Sequence, residues 1–325
     1  MTEHQQLIEG SESALQPETT LRNERREFFR AALGAAAATA AGAGALSIAT
    51  SASAATIADN DMGNFLLQLD YLAAQYYSFA VTGAGLPAAL LTGVGTAGAA
   101  TGARQVTFTD PLVAQFASEI RQDLAAQVAF LRATLGTDGA TAQPAIDLGF
   151  AAGSGFSKAA VAAGIAAAGA FDPYASDENF LLGAYIFEDV IVTAFAGAAA
   201  SISDKAFLGK VLGLISAHSH HTAVIRSLLY AKGVATPALR TNADKISDNL
   251  RDALDGGTDL DQGISPTGTG ATIQSNVVPA GADGLIAGRS TGQVLNILYL
   301  NSAAVTSGGF YTAGLNGAVK TSSAN

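Results

Sequence analysis

Three of the four histidines fall within four consecutive positions, His218, His220 and His221 in "ISAHSHHTAVIRSLLY"; the fourth is His4. Imidazole moves protons near neutral pH, ligates divalent metals and activates nucleophiles. On a helix, positions three apart lie about 60° from each other around the axis. His218 and His221 therefore share a face from which both rings can reach one ion or one proton acceptor. His220 points to the flank, where a solvated or half-buried ring is expected. The neighbouring Ser219 belongs to the same helix, and adjacent helical side chains diverge, which argues against a hydrolase triad. The chain has no cysteine, so any metal must be held by His, Asp or Glu.

The elements that must position these rings are long amphipathic helices. Four are predicted: 61–81, stopping at Gly83; 110–136, opened by a capping Asp110 and Pro111; about 176–200; and 203–233, opened by Ser203-Asp204 and closed at Gly233. Steps of i, i+4, i+7 and i+11 give each a core stripe. The first stripe is Leu66, Asp70, Ala73, Tyr77 and Ala80, and the second is Ile120, Leu124, Gln127 and Leu131. The third is Leu181, Tyr185, Glu188, Val192 and Phe195, and the fourth is Leu214, His218, His221, Ile225 and Leu228. Each apolar stripe is interrupted near its middle: by Asp70, by Gln127, by Glu188, and by the His218/His221 pair. Interruptions at comparable depth predict one shared buried cluster. Buried charge is costly unless paired or metal-bound. Asp70 and Glu188 facing His218 and His221 would either share protons or hold a divalent cation together.

The connections set the topology. The third and fourth helices are joined by a few residues and must be antiparallel neighbours. Some 40 residues separate the second from the third, including the apolar helical run "FSKAAVAAGIAAAGAF". This predicts an all-α four-helix bundle with a long crossover in the middle, its rival being an up-down bundle with loop insertions. Residues 234–325 are turn-rich and predict a loop-rich extension packed on the bundle, with one short helix near 293–300. The acidic string "DALDGGTDLDQG" reads as a solvated loop rather than a calcium site.

The 325-residue chain is 14% charged and 49% hydrophobic, with a net charge of −10. An acidic chain without a basic stripe excludes nucleic acid as an expected partner. At the N-terminus, Arg25-Arg26 precede Phe28-Phe29, then a weakly apolar Ala/Gly run, then Ala52-Ser53-Ala54. This resembles a twin-arginine export signal with cleavage after Ala54, and implies a periplasmic or extracellular protein with no membrane span after cleavage. The competing reading of the run is a membrane anchor, but its alanines and glycines would make a poor one. Domain boundaries expected are 1–54 for the signal, 55–233 for the bundle and 234–325 for the extension.

"NFLLQLDYLAAQYYSFAVTG", "AAQVAFLRATLG", "FEDVIVTAFAGAA", "ISAHSHHTAVIRSLL" and the closing "RSTGQVLNILYLNSAAVTSGGFYTAGLNG" together resemble the bacterial and plant family of ferritin-like desiccation-related proteins, over nearly all of 58–318. The resemblance implies a ferritin-like bundle, whose ancestral di-iron pattern takes Glu from each of two helices and Glu-x-x-His from each of the other two. Against that pattern, Asp70 replaces a Glu, Glu188 is kept, Leu124 and Gln127 replace both ligands of the second helix, and His218-x-x-His221 replaces Glu-x-x-His. Two carboxylates and two histidines are too few for a di-iron centre, so ferroxidase or oxygen-activating chemistry is not expected. What remains is one divalent ion, zinc or iron, on Asp70, Glu188, His218 and His221, or a metal-free hydrogen-bonded relic. The expected function is that of an exported, non-catalytic structural or stress-associated protein. The alternatives are a mononuclear metal protein or enzyme and a self-assembling cell-envelope or extracellular subunit. Sparse surface charge would suit homo-oligomers.

Overall fold

The four long helices begin and end where their caps require. α1 (Asp59–Thr82) ends at Gly83, whose φ of 74° is open to glycine. α2 (Pro111–Leu135) opens with the Asp110 carboxylate accepting from the Leu112 amide, and Gly136 closes it at φ 79°. α3 (Gly155–Ala163) is the short helix inside the crossover. α4 (Asp177–Ala199) is capped by the Ser176 hydroxyl, and α5 (Lys205–Ala235) by the Asp204 carboxylate. The computed structural model describes residues 57–325; the expected signal over 1–54 and its cleavage site lie outside them.

Cross-contacts fix the helix directions. Near its start α1 meets the end of α2, with Asn64 Nδ2 donating to the Gly139 carbonyl at 2.9 Å, and near its end the approach to α2, with the Val106 amide donating to Ala80 at 2.9 Å. α4 and α5 are likewise antiparallel, since Lys232 pairs with Glu178 and Arg226 with Asp189. The Asp59 carboxylate, at the start of α1, accepts from Ser203 and Asp204 beyond the end of α4. The crossover thus leaves α2 and α4 parallel, as the bundle expectation requires. The crossover and the α1–α2 connection touch through two-residue parallel strands, β1 (Ala100–Thr101) and β2 (Ile146–Asp147).

Two expectations fail within the bundle. Amphipathicity does not hold for α1 and α4: Met62 through Ser78 is buried without interruption, as is Phe180 through Phe195. The long connections and the C-terminal extension wrap both helices. α4 is long and apolar enough to cross a membrane, but 89% of that apolar window lies inside the fold. Gly233 does not stop α5. It sits within the helix and admits the Arg240 side chain, whose Cγ would lie 2.4 Å from a Cβ at that position. Pro237 follows the true end.

The extension is also more helical than its turn-rich composition suggests. α6 (Ala238–Lys245), a π-type turn over Ile246–Arg251 and α7 (Asp252–Asp255) run on from one another. Leu239, Ala243, Ile246 and Leu250 recur at helical spacing and are all buried there. α8 (Thr291–Tyr299) carries a capping box between Ser290 and Gln293. The acidic string is not a solvated loop. Asp255 and Asp261 are 1% and 4% exposed. The Arg289 guanidinium binds both, through Nε to Asp255 and Nη2 to Asp261, each at 2.6 Å.

Candidate functional site at the bundle centre

All four helices bring polar side chains to the core. Asp70 and Glu188 are fully buried, as is His218, while His221 is 5% and Gln127 7% exposed. The structure joins Asp70 to His218 directly, with His218 Nε2 and Asp70 Oδ1 3.1 Å apart. The imidazole is held from its other side by the Phe195 ring, centroids 4.7 Å apart. Glu188 belongs to the same cluster by charge, but neither of its oxygens has a hydrogen-bond partner. The Tyr77 hydroxyl lies beside that carboxylate, outside hydrogen-bond geometry.

His221 departs from the expected convergence. Its ring stands 5.7 Å from that of His218 at 81°, and its Nε2 turns to Asp123 Oδ2 on α2, 3.2 Å away. The Asp123 side chain is 52% exposed, so His221 links the buried cluster to the surface between α2 and α5. His220 behaves as expected. It is exposed, and its Nδ1 meets the Ser216 carbonyl of its own helix at 2.8 Å.

Burial pushes the Glu188 carboxyl up to about 7, with the nearby Asp189 and Asp70 adding to the rise and His218 opposing it. Asp70 is likewise raised by burial, against the pull of His218. For His218, burial disfavours the cation, but Asp70 and Glu188 outweigh burial and hold it above its usual value. His221 is lowered to about 4, first by burial and then by His218. The core thus holds a proton on Glu188 up to about 7 and favours the proton on His218, while His221 stays neutral.

The expected ligand set of Asp70, Glu188, His218 and His221 does not assemble as one group. Among the described residues, no three His, Asp or Glu side chains are arranged to hold an ion. His218 directs Nε2 to Asp70, and His221 directs Nε2 to Asp123. A di-iron centre does not fit, because α2 offers the core only Leu124 and Gln127 where two ligands would be needed. One observation keeps a smaller guest open. Seven buried polar atoms have no protein partner: Asp70 Oδ2, Tyr77 Oη, Gln127 Oε1, both Glu188 oxygens, and Nδ1 of His218 and of His221. Such atoms are rare in folded cores unless something else satisfies them.

Sequence periodicity missed Asp123 and Tyr77. Asp123 precedes Leu124 and falls beside the core stripe, so nothing in the spacing marks it. Tyr77 lies on the first stripe but reads as an ordinary aromatic core residue. It missed a second buried cluster too, in which Arg226, Arg251 and Arg289 bind Asp189, Asp255 and Asp261. An arginine in the middle of an apolar helical face, as at Arg226, was the available signal.

Residues 58–231 match the family described as Ferritin-like domain. The chain is 29% identical over 275 residues to the ferritin-like catalase Nec2 of Nesocodon mauritianus, covering 81% of this chain and 85% of the relative. It is 37% identical over 62 residues to the desiccation-related protein PCC13-62 of Craterostigma plantagineum, covering 19% of this chain and 20% of that one. No solved structure matches the chain. With the family match spanning the whole bundle, and a desiccation-related protein among its relatives, the chain belongs to the ferritin-like domain family.

Proposed function

We propose that this is an exported ferritin-like protein whose bundle centre carries no di-metal redox cofactor and whose role is structural, in stress or drying. The observation that supports this most is the α2 face. Leu124 and Gln127 occupy the stripe, and the nearest carboxylate, Asp123, faces outward to His221. Peroxide chemistry of the kind named for the Nesocodon relative would need a redox cofactor, for which α2 supplies no buried acidic or imidazole ligand. Export rests on the Arg25-Arg26 pair, the Ala/Gly run and Ala52-Ser53-Ala54.

The experiment is elemental analysis of protein purified from its native exported compartment, with hydrogen peroxide decomposition and ferrous oxidation assayed on the same sample. Less than one metal per chain and no turnover are expected. Two metals per chain, or turnover lost on chelation, would overturn the reading.

A second reading, one divalent ion at the centre, is favoured by the seven unpartnered polar atoms. It calls for one zinc or iron per chain, lost in both His218→Ala and His221→Ala. Self-assembly into homo-oligomers belongs to the proposal as well. Val278 and Leu285 of the extension are 66% and 60% exposed, and Leu212 of α5 is 51% exposed. Sizing of the native protein tests it.

A further inference from the structure

Away from the bundle centre, a cleft of about 590 Å³ opens between β1, β2 and the turn that enters α3. Its walls are two stretches of backbone pressed together at glycines. A Cβ on Gly102 would lie 2.4 Å from Gly149 Cα, and one on Gly98 would lie 2.2 Å from the Ala145 nitrogen. The segments that carry the lining are thus in direct backbone contact beside the cleft. Its volume is in the usual range for small-molecule sites, about 300–1,000 Å³.

The lining has a definite chemistry. Asp147 is its only charged residue. The Asp147 carboxylate is held rigidly: Oδ1 accepts from the Gly149 amide at 2.9 Å, and Oδ2 from the Gly155 amide at 3.1 Å. Each oxygen keeps acceptor capacity, because a carboxylate oxygen offers about two lone pairs. Thr101, Ser154 and Thr312 add hydroxyls. Ser154 stands at the N-cap of α3 yet caps no amide there; the Gly155 amide goes to Asp147 and the Phe156 amide to the Gly149 carbonyl. Phe150, half-buried, completes the wall; its ring is fixed edge-on against Tyr174, centroids 6.4 Å apart. Arg104, outside the lining, is paired with Asp172 and stands 5.9 Å from the centroid of the Phe150 ring, over one of its faces.

This set discriminates among ligand classes. An anion would meet the Asp147 carboxylate with no cation in the lining to offset it. A wholly apolar ligand would strip water from three hydroxyls and a carboxylate without replacing those bonds. A metal cation would find one carboxylate where calcium needs about six to eight oxygens. A neutral molecule with adjacent hydroxyls satisfies everything present. Two neighbouring O–H groups donate to the two Asp147 oxygens, other hydroxyls exchange bonds with Thr101, Ser154 and Thr312, and a C–H face lies against Phe150. We propose that this cleft is a binding site for a saccharide or related polyol.

Saturation-transfer difference NMR on the chain comprising 55–325 tests the proposal, with glucose, sucrose and myo-inositol as probes and inorganic phosphate and methylammonium as charged controls. Transfer to at least one saccharide or polyol is expected. Asp147→Asn should weaken that binding at least tenfold. Because Asp147 also shapes the turn, Thr101→Tyr provides a second variant: it replaces an exposed residue, fills the cleft and should abolish the signal with the melting temperature unchanged. Saccharide signals indifferent to both substitutions, no saccharide signal at all, or binding of phosphate or methylammonium in place of the sugars would each overturn the assignment.

Discussion

Glu188 and Asp189 are adjacent on α4, about 100° apart around the helix, and each enters a different buried polar cluster. On the bundle side, Glu188 joins Asp70, His218 and Tyr77, and neither of its oxygens has a protein partner. On the other side, Asp189 accepts from Thr222 at 2.6 Å and from Arg226 at 2.7 Å, and Arg251 lies 3.2 Å away. Asp261 is similarly engaged by Ser247, Arg251 and Arg289. The cations differ in kind. Guanidinium keeps its charge at any working pH, and Arg251 and Arg289 together lower Asp261 despite its burial, whereas at Asp255 burial outweighs Arg289 and raises the carboxyl. At the bundle centre burial raises Asp70 and Glu188, and the single titratable imidazole of His218 opposes that rise without overcoming it. One side of α4 is an arginine clamp that fastens the extension to the bundle; the other is a titratable chamber at the bundle centre.

That contrast can be broken most forcefully at the clamp. Arg289→Ala should cost about 3–5 kcal/mol, because it leaves buried Asp255 without its cation and takes one of two guanidinium partners from Asp261. Thermal unfolding should fall by on the order of 10 °C for a domain of this size. A change of only a degree or two would mean that the guanidinium holds nothing.

The chamber should respond to pH, and in two opposing ways. Glu188 titrates near 7 in the fold against an ordinary 4.5, so the native state keeps a proton that the unfolded chain has released. Its stabilisation is complete below about 4.5 and is lost as pH rises toward 7, by about 3 kcal/mol in all. His221 titrates near 4 against 6.5, so its contribution is present above 6.5 and is lost as pH falls toward 4. Between 4.5 and 6.5 the two slopes oppose each other. Denaturant titrations across that window should show Glu188→Gln gaining stability with rising pH and His221→Gln losing it. Parallel profiles for the two variants would refute the assignment.

His218→Ala removes the partner of Asp70 and should cost about 2 kcal/mol. An unchanged melting temperature in both His218→Ala and His221→Ala would show that the centre is not a linked cluster. The smallest effect is expected from Asp123→Asn. Its side chain is half-exposed, and such pairs contribute about 0–1 kcal/mol. A larger loss would place the His221 link among the structural supports.

Much of this was legible before any coordinates. Asp110-Pro111, Ser203-Asp204, Gly83 and Gly136 mark real helix ends, because capping chemistry and positive φ are local properties. The stripe positions of Asp70, Gln127, Glu188, His218 and His221 are buried as periodicity requires. What periodicity could not supply was pairing. It gives the face a residue occupies but not which neighbour its atoms meet, so it expected His221 to join the buried carboxylates and passed over Asp123. It misjudged α1 and α4 for a related reason: their outer faces are covered by segments far away in sequence.

The sequence by itself determined the four long helices, most of their caps, the bundle order and the family, since each follows from short-range spacing or from motifs read along the chain. Only the tertiary structure decided that Glu188 and Asp189 serve different clusters, that Arg226, Arg251 and Arg289 gather on one side of α4, and that buried His221 pairs with Asp123 rather than with the core carboxylates. Those outcomes depend on distances across chain separations of some 28 to 98 residues. Over such separations the packing of whole helices, not the preference of any one residue, sets which polar atoms meet.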